Sequence, residues 1–160
     1  MRWTLRTSNS DETLLFGRKL GETLVGDELF LLVGSLGAGK TTMTQGIANG
    51  LGVNEYTKSP TFVLVNEYDG RVPLVHADLY RVAQTEEAWL LGLDDYMFTG
   101  AVMVVEWGDR AQDIFPDDHI VITIEVVSDD VRDIIMESKG SESEVTLGMI
   151  RKNWEFSRQE

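Results

Sequence analysis

Cysteine is absent from the 160 residues, and histidine occurs only as His76 and His119. Without thiols there is neither a disulfide nor a thiolate metal site, and two imidazoles cannot by themselves build a structural zinc centre. Any metal is therefore expected to be held largely by oxygen. Basic residues are scarce: 14 Lys and Arg face 27 Asp and Glu, a formal net charge of -13. Affinity for a phosphate backbone comes mainly from cations that displace counterions, so this balance disfavours nonspecific nucleic-acid binding. If RNA matters, another subunit is expected to hold it. Long apolar runs are missing too. None approaches the ~18 residues of a membrane span, and Met1 to Ser10 lacks the hydrophobic stretch of a secretory signal. The expectation is a cytoplasmic chain with no membrane contact.

What is present suits one globular domain spanning residues 1–160, with 42% apolar residues and a length near the usual single-domain size. Trp3, Leu5 and Thr7 alternate with Arg2, Thr4 and Arg6, which predicts a half-buried strand. Ser10 reads as the cap of a helix over Asp11 to Val25, whose stripe of Leu14, Gly17, Gly21 and Leu24 is expected to lie against a sheet. Leu29 to Val33 is uninterrupted apolar sequence, the pattern of a central strand covered on both faces. Met43, Ile47 and Leu51 recur every four residues before Gly52, predicting a helix over Lys40 to Leu51.

Further along, Phe62 to Tyr68 and Val72 to Asp78 flank Asp69-Gly70-Arg71 and read as an antiparallel hairpin. Thr85 to Leu91 reads as a helix, and Ala101 to Val105 as another apolar strand. His119 to Val127 and Arg132 to Lys139 are two more strands joined through Ser128-Asp129-Asp130. From about Ser141 a C-terminal helix is expected, burying Val145, Met149 and Trp154. These elements predict an α/β fold with a mixed parallel and antiparallel sheet.

The residues between strand and helix carry the chemistry. Gly34-Ser35-Leu36-Gly37-Ala38-Gly39-Lys40-Thr41 fits G-x-x-x-x-G-K-[ST], the phosphate-binding loop. Its glycines let backbone N–H groups face phosphates, the lysine neutralises the β and γ groups, and the threonine hydroxyl ligates magnesium. An accidental match in a chain of this length is expected on the order of 1 time in 100, and the flanking strand and helix supply the setting the motif requires. Ser35, Leu36, Gly37, Ala38, Gly39, Lys40, Thr41 and Thr42 are therefore the expected nucleotide-binding positions, with Mg2+ at Thr41.

Carboxylates that hold magnesium or orient water typically sit where neighbouring strands end beside such a loop. Glu106 closes the strand Ala101 to Val105 and could bind the metal through water or orient the attacking water, or be a solvated strand end. Asp78 could polarise water or brace the metal shell, or cap a turn. Thr61, in Ser59-Pro60-Thr61-Phe62, could sense a γ-phosphate or simply enter a strand. His76 could touch phosphate or a partner, although a histidine beside an apolar strand is more often packed and hydrogen-bonded. Trp107 and Arg81 are further possible contacts, with core packing and surface charge as their plainer readings.

Taken in order, GSLGAGKTT at 34–42, SPTF at 59–62, HADLYR at 76–81, LGL at 91–93 and VEW at 105–107 closely resemble the bacterial TsaE family, also called YjeE. The resemblance runs from about Ser10 to Gly140. It implies a P-loop NTPase with a three-layer arrangement around its sheet. It also implies a cytoplasmic Mg-dependent ATPase that works with TsaD and TsaB to make the threonylcarbamoyl modification on adenosine 37 of tRNA. The transfer itself would belong to TsaD, and tRNA would be met through the complex. Carried over by position, Lys40 and the loop amides hold phosphates, Thr41 and Glu106 serve the metal, Asp78 contributes to hydrolysis, and Thr61 and Trp107 lie at the nucleotide site. Two other readings stand beside this one. A small-molecule kinase would need an acceptor pocket and an arginine-bearing lid, and the nine arginines are scattered. A nonhydrolytic sensor would use ATP only to order a docking segment. A GTPase is disfavoured because no Asn-Lys-x-Asp segment occurs.

Overall fold

The computed structural model describes residues 1–54 and 65–160. Among the described residues seven strands form one sheet: β1 (Arg2–Thr7), β2 (Leu29–Val33), β3 (Val65–Tyr68), β4 (Leu74–Asp78), β5 (Val102–Glu106), β6 (Ile120–Val126) and β7 (Arg132–Ser138). Their order is β1-β7-β6-β2-β5-β4-β3. The inner strands β6, β2, β5 and β4 run parallel, while β3 and the β1-β7 pair are antiparallel additions at the two edges. Burial on both faces explains why β2, β4 and β5 are nearly unbroken apolar runs.

Helices α1 (Ser10–Thr23), α2 (Lys40–Gly50) and α4 (Ser141–Ser157) cover one face. There Phe30, Leu32, Leu74, Val102, Val104 and Ile122 pack against Phe16, Leu20, Met43, Ile47, Ile150 and Trp154. Helix α3 (Thr85–Leu90) and short 3-10 turns at Leu93–Tyr96 and Gly108–Ile114 cover the other, over Leu29, Leu31, Val75, Ala77, Met103 and Val105. The strict alternation of partners along each strand follows from the two-residue period of the pleat. The result is the expected three-layer α/β arrangement around a mixed sheet. Among the described residues no helix is long and apolar enough to cross a membrane.

Three local expectations are corrected. The cap of α1 is Asn9, whose side chain accepts from the Glu12 amide at 2.8 Å, and Ser10 is the first helical residue. The Gly17–Gly21 stripe faces helix α2 instead of the sheet. A methyl at Gly17 would sit 2.6 Å from the Met43 carbonyl oxygen, and one at Gly21 would collide with that of Ile47. Gly46 and Gly50 return the same contact from α2, so four missing side chains let two backbones touch. In α4 the buried residues are Ser143, Leu147, Ile150 and Trp154, while Val145 and Met149 face outward. Spacings of four, three and four keep the buried set on one face; Val145 lies two residues, about 200°, away from Ser143.

The hairpin forms, but its loop is longer than a two-residue turn, since Tyr68 pairs with Leu74. Arg71 in that loop donates to Leu24 O at 2.8 Å and Gly21 O at 3.0 Å, satisfying carbonyls at the end of α1. The expected strand residues 62–64, like Thr61 and the whole 59–62 segment, lie outside the described residues.

Candidate functional site

Strand β2 delivers the loop at its C-terminal end, between β6 and β5, and α2 begins at Lys40 directly after it. Gly34 is required by packing: a Cβ there would sit 2.8 Å from the Ile124 carbonyl oxygen of β6. Gly37 and Gly39 adopt φ of +79° and +112°, conformations that L side chains rarely take, which turns the loop's amides around the helix N-terminus. Lys40 is buried, and its Nζ donates to Gly34 O at 2.7 Å and Ser35 O at 2.8 Å. Burial lowers the affinity of this amine for its proton, and the charges of Glu106, Asp78 and Asp109 oppose that. The ammonium lies 4.1 Å from the centroid of the Trp107 ring, within cation–π range.

The sheet brings two carboxylates beside this loop. Asp78 ends β4, Glu106 ends β5, and the two are direct register partners, with Leu32 of β2 on the other side of Glu106. Both are almost fully buried. Thr41 Oγ1 donates to Glu106 Oε1 at 3.1 Å. The other Glu106 oxygen, Oε2, meets His76 Nε2 at 2.5 Å. Asp78 Oδ1 accepts from the Tyr80 amide at 2.9 Å, the turn-capping contact that its plainer reading predicts, while its carboxyl stays at the strand end. Trp107 leaves β5 with a left-handed φ of +60°, its amide bonded to Leu32 O. Its ring packs on Tyr80 at 5.1 Å and under the Arg110 guanidinium at 5.0 Å.

Lys40, Thr41, Asp78, Glu106 and Trp107 thus converge at one end of the sheet. Thr42 lies slightly apart, in a cavity of about 190 Å³ on the opposite flank of the loop, lined by Gly37, Ala38 and Gly39 with Ser10, Thr13, Asp129, Asp130 and Arg132. Sequence reasoning missed Ser10, Thr13 and Arg132 in this role. Arg132 Nε donates to Ala38 O at 2.9 Å across 94 residues, and its Nη1 holds Ser128 O and Asp129 O of the β6–β7 turn. No local motif signals such a contact, because only the sheet order brings β7 near the loop.

The residues suit a magnesium nucleotide. Among the described residues no cluster of three or more His, Cys, Asp or Glu could hold a metal alone. Magnesium is commonly held by one or two protein oxygens, with phosphates and water completing the octahedron, and Thr41 with Glu106 offers that.

Comparison with known proteins is decisive for the family. The family model described as "Threonylcarbamoyl adenosine biosynthesis protein TsaE" matches residues 7–134. This chain belongs to the TsaE family. A Bacillus subtilis protein named tRNA threonylcarbamoyladenosine biosynthesis protein TsaE is 37% identical over 146 residues, covering 91% of this chain and 90% of that relative. A Haemophilus influenzae TsaE is 41% identical over 128 residues, covering 76% and 80% respectively. The crystal structure of Bacillus subtilis YdiB superposes with a TM-score of 0.83 at 32% identity, over 95% of both chains. The matched residues reach into β7 as far as Ile134, so they include Arg132 as well as the 76–81 and 105–107 segments.

Proposed function

We propose that this TsaE-family chain is the ATP-hydrolysing component of the machinery that makes N6-threonylcarbamoyladenosine in tRNA. It acts in the cytoplasm with TsaD and TsaB and leaves the group transfer to TsaD. The observation that carries the ATPase reading is the Thr41–Glu106 contact of 3.1 Å beside Lys40 in the phosphate loop. A loop hydroxyl beside a strand-end carboxylate is the kind of pair that holds a nucleotide's metal in P-loop enzymes, and it supports this reading.

In this reading the loop amides and the α2 N-terminus bind the phosphates, and Lys40 exchanges its carbonyl partners for β and γ oxygens. Thr41 and Glu106 would hold Mg2+, which would supply charge neutralisation to the phosphates. Asp78 orients or polarises the attacking water, and Trp107 walls the phosphate side. The cavity at Ser10, Thr13 and Arg132 takes the nucleoside end. The net charge of -13 supports an indirect relation to tRNA.

The test is ATP hydrolysis with magnesium by the chain alone and then with matched TsaD and TsaB. Strong stimulation by the pair is the expected result. A rate that the pair leaves unchanged would shift the assignment toward a stand-alone kinase or sensor.

A further inference from the structure

His76 lies on β4 two residues before Asp78, and its side chain is wholly inaccessible to solvent. Across the sheet it is the register partner of Val104, so Glu106 is its diagonal neighbour, within reach of long side chains. A carboxylate only accepts hydrogen bonds, so the 2.5 Å contact is a donation from Nε2–H to Glu106 Oε2. The remaining nitrogen, Nδ1, is buried with no partner among the described residues. A leucine here would continue the apolar pattern of β4 and avoid burying that orphan nitrogen. The imidazole is therefore a costly occupant whose clear return is the hold on Glu106.

We infer that His76 is a positioning residue of the magnesium centre. With Oε2 anchored by His76, the carboxyl plane of Glu106 cannot turn away, and Oε1 stays presented to Thr41 at the mouth of the loop. The imidazole is wholly buried and acts through Glu106, as hydrogen-bond partners behind metal ligands generally do. This rests on the Mg-ATPase reading of the site above.

Two substitutions separate this role from simple packing. His76→Leu keeps apolar bulk and removes the donor, whereas the amide nitrogen of His76→Gln can occupy the place of Nε2. His76→Leu is expected to raise the magnesium concentration needed for half-maximal hydrolysis, or to lower kcat, by roughly 10- to 100-fold, with KM for ATP changed by less than about 3-fold. His76→Gln is expected to recover most of the loss. A folded His76→Leu with wild-type magnesium requirement and kcat would overturn the inference, as would a glutamine variant no better than the leucine. A measurement on the wild-type chain stands independent of turnover and of the folding of the His76 variants. Nitrogen-15 NMR of the histidine rings should show the proton of His76 on Nε2, with a resonance that moves in Glu106→Gln. A bare Nε2 would sink the idea. If the wild-type chain hydrolyses no ATP even with TsaD and TsaB, the proposed function fails, yet the NMR result still judges the His76–Glu106 bond.

Discussion

At Lys40 two of the three ammonium donors are taken by the Gly34 and Ser35 carbonyls, and the ring of Trp107 lies against the same group. Phosphate oxygens would replace neutral acceptors with charged ones, roughly doubling the strength of each bond, which is why the lysine can exchange partners. Lys40→Ala should therefore weaken nucleotide binding itself, measured with a fluorescent ADP analogue. Asp78→Ala should behave differently. Removing a group that orients water typically costs about 100-fold or more in turnover, while nucleotide affinity stays near wild type. Equal loss of binding and turnover in Asp78→Ala would instead favour a nucleotide-holding role for that carboxylate. Trp107, in cation–π contact with both Lys40 and Arg110, should change its fluorescence when nucleotide draws Lys40 away, and the change should vanish in Lys40→Ala.

Among the elements, α1 and α2 are joined through glycine, and propensity and packing point in opposite directions there. Replacing a helical glycine by alanine ordinarily gains about 1 kcal/mol. At Gly46 the added methyl would overlap the Leu14 carbonyl oxygen, and overpacking costs typically about 1–3 kcal/mol. Gly46→Ala should thus be net destabilising in urea unfolding, whereas Gly148→Ala, with open space around it on α4, should stabilise by up to about 1 kcal/mol.

Helix α4 shows a second element-scale device. Its N-cap residue is Gly140, and Asp118 supplies the missing side chain from a distant loop, accepting from the Glu142 amide at 3.0 Å and the Ser143 amide at 2.9 Å. Partial burial pushes the Asp118 carboxyl up, but these bonds outweigh it and leave it below the usual aspartate range. Asp118→Ala should cost about 1 kcal/mol at neutral pH. Because the folded-state value is the depressed one, that contribution is complete above the unfolded value of about 3.9 and disappears as pH falls through the folded one. The stability gap between wild type and variant should accordingly close in acid.

For the whole molecule, the loop at the C-terminal ends of β2, β4 and β5 makes nucleotide binding a property of the folded state only. Ligand that binds the native chain alone adds about 2.7 kcal/mol at 100 times its Kd. Magnesium with a nonhydrolysable ATP analogue should therefore raise Tm, and EDTA should remove most of the increment. With 27 acidic against 14 basic residues, the chain by itself should show no measurable tRNA binding at physiological salt. Recruitment should appear only when TsaD and TsaB are added.

What the sequence determines is mostly what is local. The loop motif, the apolar runs of β2 and β5 and the four-residue spacing in α2 each report their own backbone and burial, so strand, loop and helix were legible without neighbours. The order of motifs from 34 to 107 also sufficed to place the chain in its family. Partners chosen by tertiary contact were not legible. That Gly17 and Gly21 meet a helix, that α4 buries Leu147 and Ile150 instead of Val145 and Met149, and that Asp118 caps a helix across the fold depend on which surfaces meet. The same holds at the site. Asp78 and Glu106 could be suspected as strand ends, but only the sheet order makes them register neighbours, sets His76 behind Glu106 and brings Arg132 to the loop. Hydrophobic periodicity records which face of an element is buried; it carries no label for what buries it.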